Sequence, residues 1–165
     1  MSVIPFDQRD GVIWFDGKLV PWKDAKVHVL THGLHYGSCV FEGERAYDGV
    51  IYKCTEHSQR FHKSAEIMDF TIPYSVAELD AAKYLCLKEN GLKDAYLRPV
   101  AWRGSEMMAV SGINNTIHTA IAVWEWPSMF DMAAKLKGIR LDVADYRRPD
   151  PACAPVHAKA AGLYM

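Results

Sequence analysis

The sequence has no long hydrophobic run, no paired-cysteine motif and no excess of either charge. Its longest apolar stretches have only the length of a β-strand, so no segment predicts a transmembrane helix. The start of the chain carries Asp7, Arg9 and Asp10 and does not resemble a signal peptide. Cysteines occur without a Cys-x-x-Cys pair, at positions 39, 54, 86 and 153. We therefore expect free thiols, no zinc site and a cytoplasmic protein.

Charge and repetition exclude further classes. The net charge is −1 and the basic residues are scattered, which argues against a nucleic-acid partner. No internal repeat or low-complexity segment indicates a solenoid or a disordered chain. What remains is an ordinary globular composition, in which 50% of the 165 residues are hydrophobic and 24% are charged.

Two Asp-Gly pairs each predict a β-hairpin, because this pair tolerates the positive φ angles of a tight turn. The predicted strands are residues 12–15 with 18–21, and residues 39–47 with 50–53. Between the hairpins, residues 27–38 are rich in aromatics, histidine and glycine and show no clear period.

Two helices and two long strands follow. Apolar spacing predicts a helix over residues 56–70, and Ser75 with Glu78 forms a capping box that opens a second helix over residues 76–90. Residues 95–102 and 116–126 combine β-branched and aromatic side chains, which predicts neighbouring strands joined by a loop.

The order of these elements predicts an α+β fold. We expect a small α/β domain at residues 1–126, a short connector or single helical turn within 127–137, and the start of a second domain at 138–165, with a strand at 138–146. The apolar run at 160–165 has few partners in the sequence, so we expect the natural chain to continue.

The histidines at positions 28, 32 and 35 would share one face if this segment were a helix, which allows a metal site to be considered. No Asp, Glu or Cys lies close to them, and residues 27–29 have an extended pattern. We therefore expect hydrogen-bonded or packed histidines, with metal binding as the alternative.

Lys159 is the first candidate for chemistry. It stands among small and apolar residues, where an unpaired ammonium is costly to bury and where a nucleophilic amine can be useful. An ordinary surface lysine is the alternative.

A second candidate lies on the predicted strand 95–102. Tyr96 and Arg98 are two residues apart and share one face, which suits the binding of a carboxylate. An exposed ion pair is the alternative for Arg98. Around the second hairpin, Tyr36, Phe41 and Arg45 stand among small residues and fit either a ligand-lining strand or a buried aromatic face.

Five segments, in family order, resemble the branched-chain amino acid aminotransferases. They are residues 27–37, Val-Phe-Glu-Gly-Glu-Arg-Ala-Tyr at 40–47, Glu-His-x-x-Arg-x-x-x-Ser-Ala at 56–65, Tyr-Leu-Arg-Pro at 96–99 and Ala-Lys-Ala-x-Gly-x-Tyr at 158–164. The resemblance implies a fold type IV pyridoxal-phosphate enzyme, with a small α/β domain, a larger pseudo-barrel domain and the cofactor between them.

The resemblance also implies roles for individual residues. Lys159 would hold pyridoxal 5'-phosphate covalently, Arg60 would bind its phosphate and Tyr164 would contact it. Positions that line the substrate pocket are matched by Tyr36, Phe41, Tyr96, Arg98 and Trp126. The implied reaction transfers the amino group of leucine, isoleucine or valine to 2-oxoglutarate. In the family the Tyr36 position reaches the neighbouring subunit's site, which implies at least a homodimer.

Two positions depart from the family pattern. Glu44 stands where the family often has an apolar residue, and we expect its side chain to be exposed. A tyrosine that often follows the tryptophan at 126 is absent, and Phe130 would replace it. Two other enzymes of the same fold remain open, D-amino-acid aminotransferase and aminodeoxychorismate lyase, as does a non-catalytic interaction fragment.

Overall fold

A computed structural model describes residues 4–126 and 132–164 of the chain. The replacement of the missing tyrosine by Phe130, and most of the connector before residue 132, lie outside the described residues. The strands are β1 (Val12–Phe15), β2 (Lys18–Pro21), β3 (Cys39–Phe41), β4 (Glu44–Tyr47), β5 (Val50–Ile51), β6 (Ala95–Arg103) and β7 (Ile117–Trp124). The helices are α1 (His32–Tyr36), α2 (Cys54–Ile67), α3 (Val76–Glu89) and α4 (Met132–Lys137).

All strands of the described chain join one antiparallel sheet. Its order is β2-β1-β7-β6-β4-β5, and β3 pairs with the other half of β6 on the same side as β4. The long strands β6 and β7 pair over their whole length, from Tyr96 opposite Trp124 to Arg103 opposite Ile117. The predicted neighbouring strands are therefore confirmed, and so is the α+β class.

The two faces of the sheet differ in what covers them. Side chains of β6 alternate, so that Leu97 and Ala101 point into the main core against α2 and α3. Tyr96, Arg98 and Trp102 belong to the opposite face, which carries a smaller apolar cluster and is only partly covered. The candidate residues of β6 thus lie on the open face.

Local signals account for the predicted turns and caps. Asp16 and Gly17 have φ angles of 47° and 89°, as the first hairpin requires. The capping box at the start of α3 is present, with both Ser75 and Glu78 satisfying the backbone donors of the first turn.

The predicted strand 39–47 is interrupted at Glu42 and Gly43. Both halves keep the same register with β6, and the Glu42 N–H donates to the Pro99 C=O at 2.9 Å. Pro99 has no N–H to return a bond, so the ladder is broken at this point. The return strand is also shorter than expected, because Lys53 has a φ of 55° and caps α2.

Glu44 is buried, not exposed as expected. Only 1% of the residue is accessible, and its carboxylate lies 2.8 Å from the Nζ of Lys83 on α3, which is itself fully buried. An unpaired charge could not remain at this position, so the lysine on the facing helix explains why a buried glutamate is tolerated here.

Residues 138–146 do not form the expected strand. The segment is irregular, and its apolar side chains are exposed: Ile139 by 68%, Leu141 by 86% and Val143 by 91%. No described strand pairs with it, and a strand without a partner leaves its backbone groups unsatisfied. Residues 158–160 behave differently, because Ala158 and Ala160 are buried in the main core.

The four cysteines are free thiols, as expected. Burial raises the pKa of both Cys39 and Cys86 to about 11, which makes them poor nucleophiles at neutral pH. In the parts of the chain that the structure describes, no helix is both long and apolar enough to cross a bilayer.

Candidate active site

Lys159 lies on an aromatic platform at the edge of the sheet. Its Nζ donates a hydrogen bond to the Tyr164 hydroxyl at 2.9 Å. The same nitrogen lies 4.8 Å from the ring centre of Phe41 and 5.0 Å from that of Tyr164. Among the described residues no carboxylate pairs with it, whereas an acidic partner lies within 4 Å of Lys23, Lys53, Lys63, Lys83 and Lys93.

The backbone of Lys159 is held on both sides. Its N–H donates to the Ser64 hydroxyl on α2 at 2.9 Å, and its C=O accepts from the Phe41 N–H at 3.1 Å. The next residue, Ala160, forms a bridge with Val40 of β3. These contacts fix the lysine between a helix and the sheet, so its position does not depend on the exposed segment before it.

An aromatic wall extends from Lys159 to the end of β7. The rings of Tyr164 and Phe41 are 5.0 Å apart, and the Arg98 guanidinium lies 4.8 Å from the Phe41 ring centre. Arg98 also donates to the Tyr96 hydroxyl at 2.8 Å, and Tyr96 stacks on Trp126 at 4.8 Å. The structure therefore brings together all the proposed site residues except Tyr36 and Arg60.

Arg98 makes no ion pair with a described residue, so the exposed salt bridge considered as the alternative is not seen in that part of the chain. Its Nη2 bonds the Tyr96 hydroxyl, while its buried Nε has no partner in the described chain. A guanidinium beside a hydroxyl, with no carboxylate partner in the described chain, suits a carboxylate ligand.

Arg60 lies on α2, one turn before Ser64, which holds Lys159. Its Nε and Nη2 donate to the two oxygens of Glu42, each at 2.6 Å. The Glu42 carboxylate also contacts His57 Nδ1 at 2.9 Å and is fully buried, whereas 54% of the Arg60 side chain is exposed. Burial alone would raise the pKa of Glu42, but the hydrogen bonds and charges of Arg60 and His57 outweigh it, so the pKa is lowered.

The histidine-rich segment packs beside the segment that carries Lys159, because the backbones of Gly37 and Gly162 are in close contact. His32 is buried and bonds the Ser38 hydroxyl and the Ala109 C=O, while His28 and His35 bond nearby backbone groups. Within the described residues no group of three or more metal-ligating side chains occurs. The expectation of hydrogen-bonded histidines is confirmed, and the ring of Tyr36 packs against that of His32, with 4.6 Å between the ring centres.

Three contributors were missed from the sequence. Ser64 and Glu42 entered the sequence analysis only as members of two motifs, without a role. In the structure Ser64 holds the backbone of Lys159, and Glu42 holds the guanidinium of Arg60. Arg148 was taken for part of an irregular segment, but its guanidinium lies 5.5 Å from the ring centre of Tyr164. Its neighbours along the chain gave no signal of this contact.

The donor set suits an anionic aromatic ligand. Lys159 and Arg148 bring positive charge to the surroundings of Tyr164, with aromatic rings beneath the lysine, and Arg60 lies one turn from the residue that holds the Lys159 backbone. An amine without an acidic partner can attack an aldehyde, and an arginine can hold a phosphate. The residues present therefore fit pyridoxal 5'-phosphate.

Comparison with known proteins decides the family. The sequence profile described as "Amino-transferase class IV" matches residues 39–164, which is most of the chain. The chain belongs to the class IV aminotransferases. The resemblance seen in the five motifs is thereby confirmed, and the matched region begins at β3 and includes Lys159 and Tyr164.

Relatives of this class IV aminotransferase chain bear the name expected from the motifs. The chain is 41% identical to a probable branched-chain-amino-acid aminotransferase of Rickettsia felis, over 99% of this chain and 55% of the relative. It is 42% identical to the branched-chain-amino-acid aminotransferase of Pseudomonas aeruginosa, over 95% of this chain and 52% of the relative. The chain thus spans about half the length of the curated relatives it matches.

The fold agrees with solved relatives. A T.th. branched-chain amino acid aminotransferase with pyridoxamine 5'-phosphate superposes with a TM-score of 0.90 at 37% identity, over 94% of this chain and 53% of that one. Another structure of the T.th. enzyme is a complex with 4-methylvaleric acid, with a TM-score of 0.85 at 37% identity over 94% and 52% of the two chains. The class IV aminotransferase chain therefore has the fold type IV architecture of these enzymes.

Proposed function

We propose that this chain forms the N-terminal half of a pyridoxal-phosphate-dependent aminotransferase that acts on leucine, isoleucine and valine, with 2-oxoglutarate as amino acceptor. The observation that carries the proposal is the amine of Lys159, which lies on an aromatic platform beside a tyrosine hydroxyl and has no acidic partner among the described residues. The names of the relatives and the cofactor of the T.th. structure support it.

Each residue has a role in this proposal. Lys159 would hold the coenzyme covalently and, once the incoming amino acid has freed its amine, would move the proton from the Cα of the amino acid to the coenzyme carbon that the lysine had held. Arg60 binds the coenzyme phosphate, and Tyr164 hydrogen-bonds the lysine. Pyridoxal phosphate, when bound, supplies an electron-withdrawing ring that stabilises the electrons left at Cα.

One pocket must accept both an aliphatic side chain and a second carboxylate. Phe41 and Trp126 offer apolar surface for the first, which agrees with the 4-methylvaleric acid bound by the T.th. enzyme. Arg98, whose guanidinium bonds the Tyr96 hydroxyl, suits the second. Tyr36 would complete the pocket of a neighbouring subunit, as the resemblance to the family implies, and 47% of this residue is exposed in its own chain.

The larger organisation follows the same proposal. Residues 1–126 would form the small domain, 127–137 the connector and 138–165 the start of a larger cofactor-binding domain. The protein would act in the cytoplasm as a homodimer or higher oligomer, in amino-acid biosynthesis.

Borohydride reduction with pyridoxal 5'-phosphate, followed by peptide mass mapping, tests the proposal in the natural protein that contains this chain. We expect the label on Lys159 and its loss in Lys159→Ala. Turnover of L-leucine with 2-oxoglutarate should then exceed turnover of D-alanine and cleavage of aminodeoxychorismate. A label on another lysine, or no visible absorbance with the coenzyme, would refute the proposal, whereas preference for D-alanine would redirect it to the other enzymes of the fold.

A further inference from the structure

We propose that Glu42 is a positioning residue that sets the orientation of Arg60 towards the coenzyme phosphate. The inference rests on the proposed function, because it assigns a partner to the phosphate-binding arginine. Glu42 itself contacts neither Lys159 nor the aromatic wall through its side chain. It acts through Arg60, which is exposed at its far end.

The first step concerns the edge of the Arg60 guanidinium that faces Glu42. Nε and Nη2 of Arg60 each donate a hydrogen bond to one oxygen of the carboxylate, at 2.6 Å. Among the residues that the structure describes, none hydrogen-bonds to Nη1. The planar group is thus clamped along one edge, and its Nη1 edge is left for an anion, as a bidentate pair dictates.

The second step is the rigidity of Glu42. Its carboxylate is fully buried, and its backbone N–H is bonded to the Pro99 C=O at 2.9 Å. The preceding residue, Phe41, donates its N–H to the Lys159 C=O. One dipeptide, Phe41-Glu42, therefore connects the lysine, the arginine and the strand that carries Arg98.

The third step is the alternative that Arg60 serves only to neutralise a buried acid. Such a role would not require an exposed arginine, and His57 already contacts Oε2 of Glu42 at 2.9 Å. The arginine also lies on the same face of α2 as Ser64, one turn away, and Ser64 bonds the Lys159 backbone. The arginine that pairs with Glu42 therefore lies on the face of α2 that also holds Lys159.

The test compares two probes in the full natural protein, pyridoxal 5'-phosphate and pyridoxal, which lacks the phosphate. Glu42→Gln keeps the size of the side chain but can accept only one of the two arginine bonds. We expect it to weaken binding of the phosphorylated probe on the order of tenfold, as for other residues that orient a ligand-binding group. Binding of pyridoxal should not change, because the phosphate is the only group of the coenzyme that the proposal assigns to Arg60.

Three further variants complete the experiment. In the Arg60→Ala background, Glu42→Gln should weaken binding of the phosphorylated probe no further, because the arginine it orients is gone. Glu66→Gln removes the same charge from an exposed ion pair on α2 and should leave both affinities unchanged. Glu42→Asp keeps the charge but shortens the side chain, and it replaces Glu42→Gln if the latter does not fold.

The outcomes separate the two proposals. Equal weakening of both probes, or a Glu42→Gln effect that persists without Arg60, would overturn the positioning role, because a purely structural residue behaves that way. Failure of the unmodified protein to bind either probe would overturn the proposed function and this inference together. Selective loss of the phosphorylated probe supports both.

Discussion

Two glutamates that stand two residues apart have opposite electrostatic environments. Glu42 faces Arg60 and His57 of α2, and these partners lower its pKa against the effect of burial. For Glu44 the burial dominates, so that its pKa is raised in spite of Lys83 and with a further contribution from the negative charge of Glu42. Two buried carboxylates can lie this close because each has its own cation.

These directions predict the dependence of stability on pH. A carboxyl group with a lowered pKa in the folded protein stabilises the fold at pH values above its ordinary pKa of 4.5. This stabilisation is lost as the pH falls through the lowered pKa. Unfolding free energy should therefore fall less steeply in acid for Glu42→Gln than for the unmodified protein. Urea unfolding over a pH series measures this. A loss in acid as steep as that of the unmodified protein would contradict the assignment.

The raised pKa of Glu44 has the opposite consequence. The folded protein holds this proton more tightly than the unfolded chain does, so stability falls as the pH rises from 4.5 through the folded value. Glu44→Gln removes that decline. It therefore serves as the internal comparison for Glu42→Gln, since the two variants should change the pH slope in opposite senses.

Gly43 lies where any side chain would disturb the aromatic wall. A Cβ added at this position would overlap the Tyr96 hydroxyl, and the Tyr96 ring is held by Trp124 and Trp126 at 4.9 and 4.8 Å. Because the hydroxyl also accepts from Arg98, we expect Gly43→Ala to raise KM for the amino donor several-fold. Steady-state kinetics of the natural protein measures it.

Tyr96→Phe supplies the control for this variant. Without the hydroxyl the overlap is largely relieved, so Gly43→Ala should cost less in the Tyr96→Phe background than in the unmodified protein. Equal costs in both backgrounds would show that the glycine is needed for another reason, such as the break between β3 and β4.

At the scale of elements, the buried pair of Glu44 and Lys83 ties β4 to α3. Lys83 also donates to the Ser58 hydroxyl at 2.7 Å, so the pair reaches α2 as well. Breaking a buried pair leaves one charge uncompensated, whereas replacing both residues by apolar ones is often neutral or stabilising. We therefore expect the pair to determine how the helices dock on the sheet, and to contribute little to the free energy of unfolding.

A double-mutant cycle tests this expectation. Lys83→Met should lower the free energy of unfolding by about 3–5 kcal/mol, because it leaves Glu44 buried without a cation. Glu44→Leu should cost less, because Lys83 keeps Asp80 at 3.8 Å, and the double variant should be close to the unmodified protein. Urea denaturation provides the three values. Additive losses in the double variant would mean that the two side chains do not act as a pair.

The elements that depend on neighbours along the chain were predictable. Three predicted features depend only on residues that are close in sequence, and the structure contains all of them: the hairpin at Asp16, the capping box at Ser75 and the alternation of β6. The break in the second hairpin was not, because it depends on Pro99 lying opposite residue 42 after the sheet has formed. Periodicity within a strand carries no information about its partner.

The candidate site shows the same division. Tyr96 and Arg98 were placed together by their spacing alone, and the structure bonds them. Lys159 was singled out by its apolar neighbours, but the partners that hold its backbone lie 95 positions away at Ser64 and on β3 at Phe41. Only the fold brings these residues into contact.

At the scale of the whole molecule, the described chain holds one side of a site. The wall from Lys159 to Trp126 is assembled on the open face and edge of the sheet, and 53% of Tyr164 is exposed. The apolar side chains of residues 138–146 are also exposed, although their pattern is that of a strand. Both features are expected of a half whose relatives are about twice as long.

The last prediction compares the 165-residue chain alone with a protein in which it continues to the length of its relatives. The chain alone offers an amine, an arginine and one aromatic wall, but Lys159 is only partly buried. Water competes there for every hydrogen bond, so we expect the isolated chain to bind pyridoxal 5'-phosphate weakly and to show no turnover, while the longer protein is labelled at Lys159. Borohydride labelling and L-leucine turnover, measured on both, decide it. Stoichiometric labelling with turnover in the isolated chain would show that one wall is enough, and would contradict the argument from the open side.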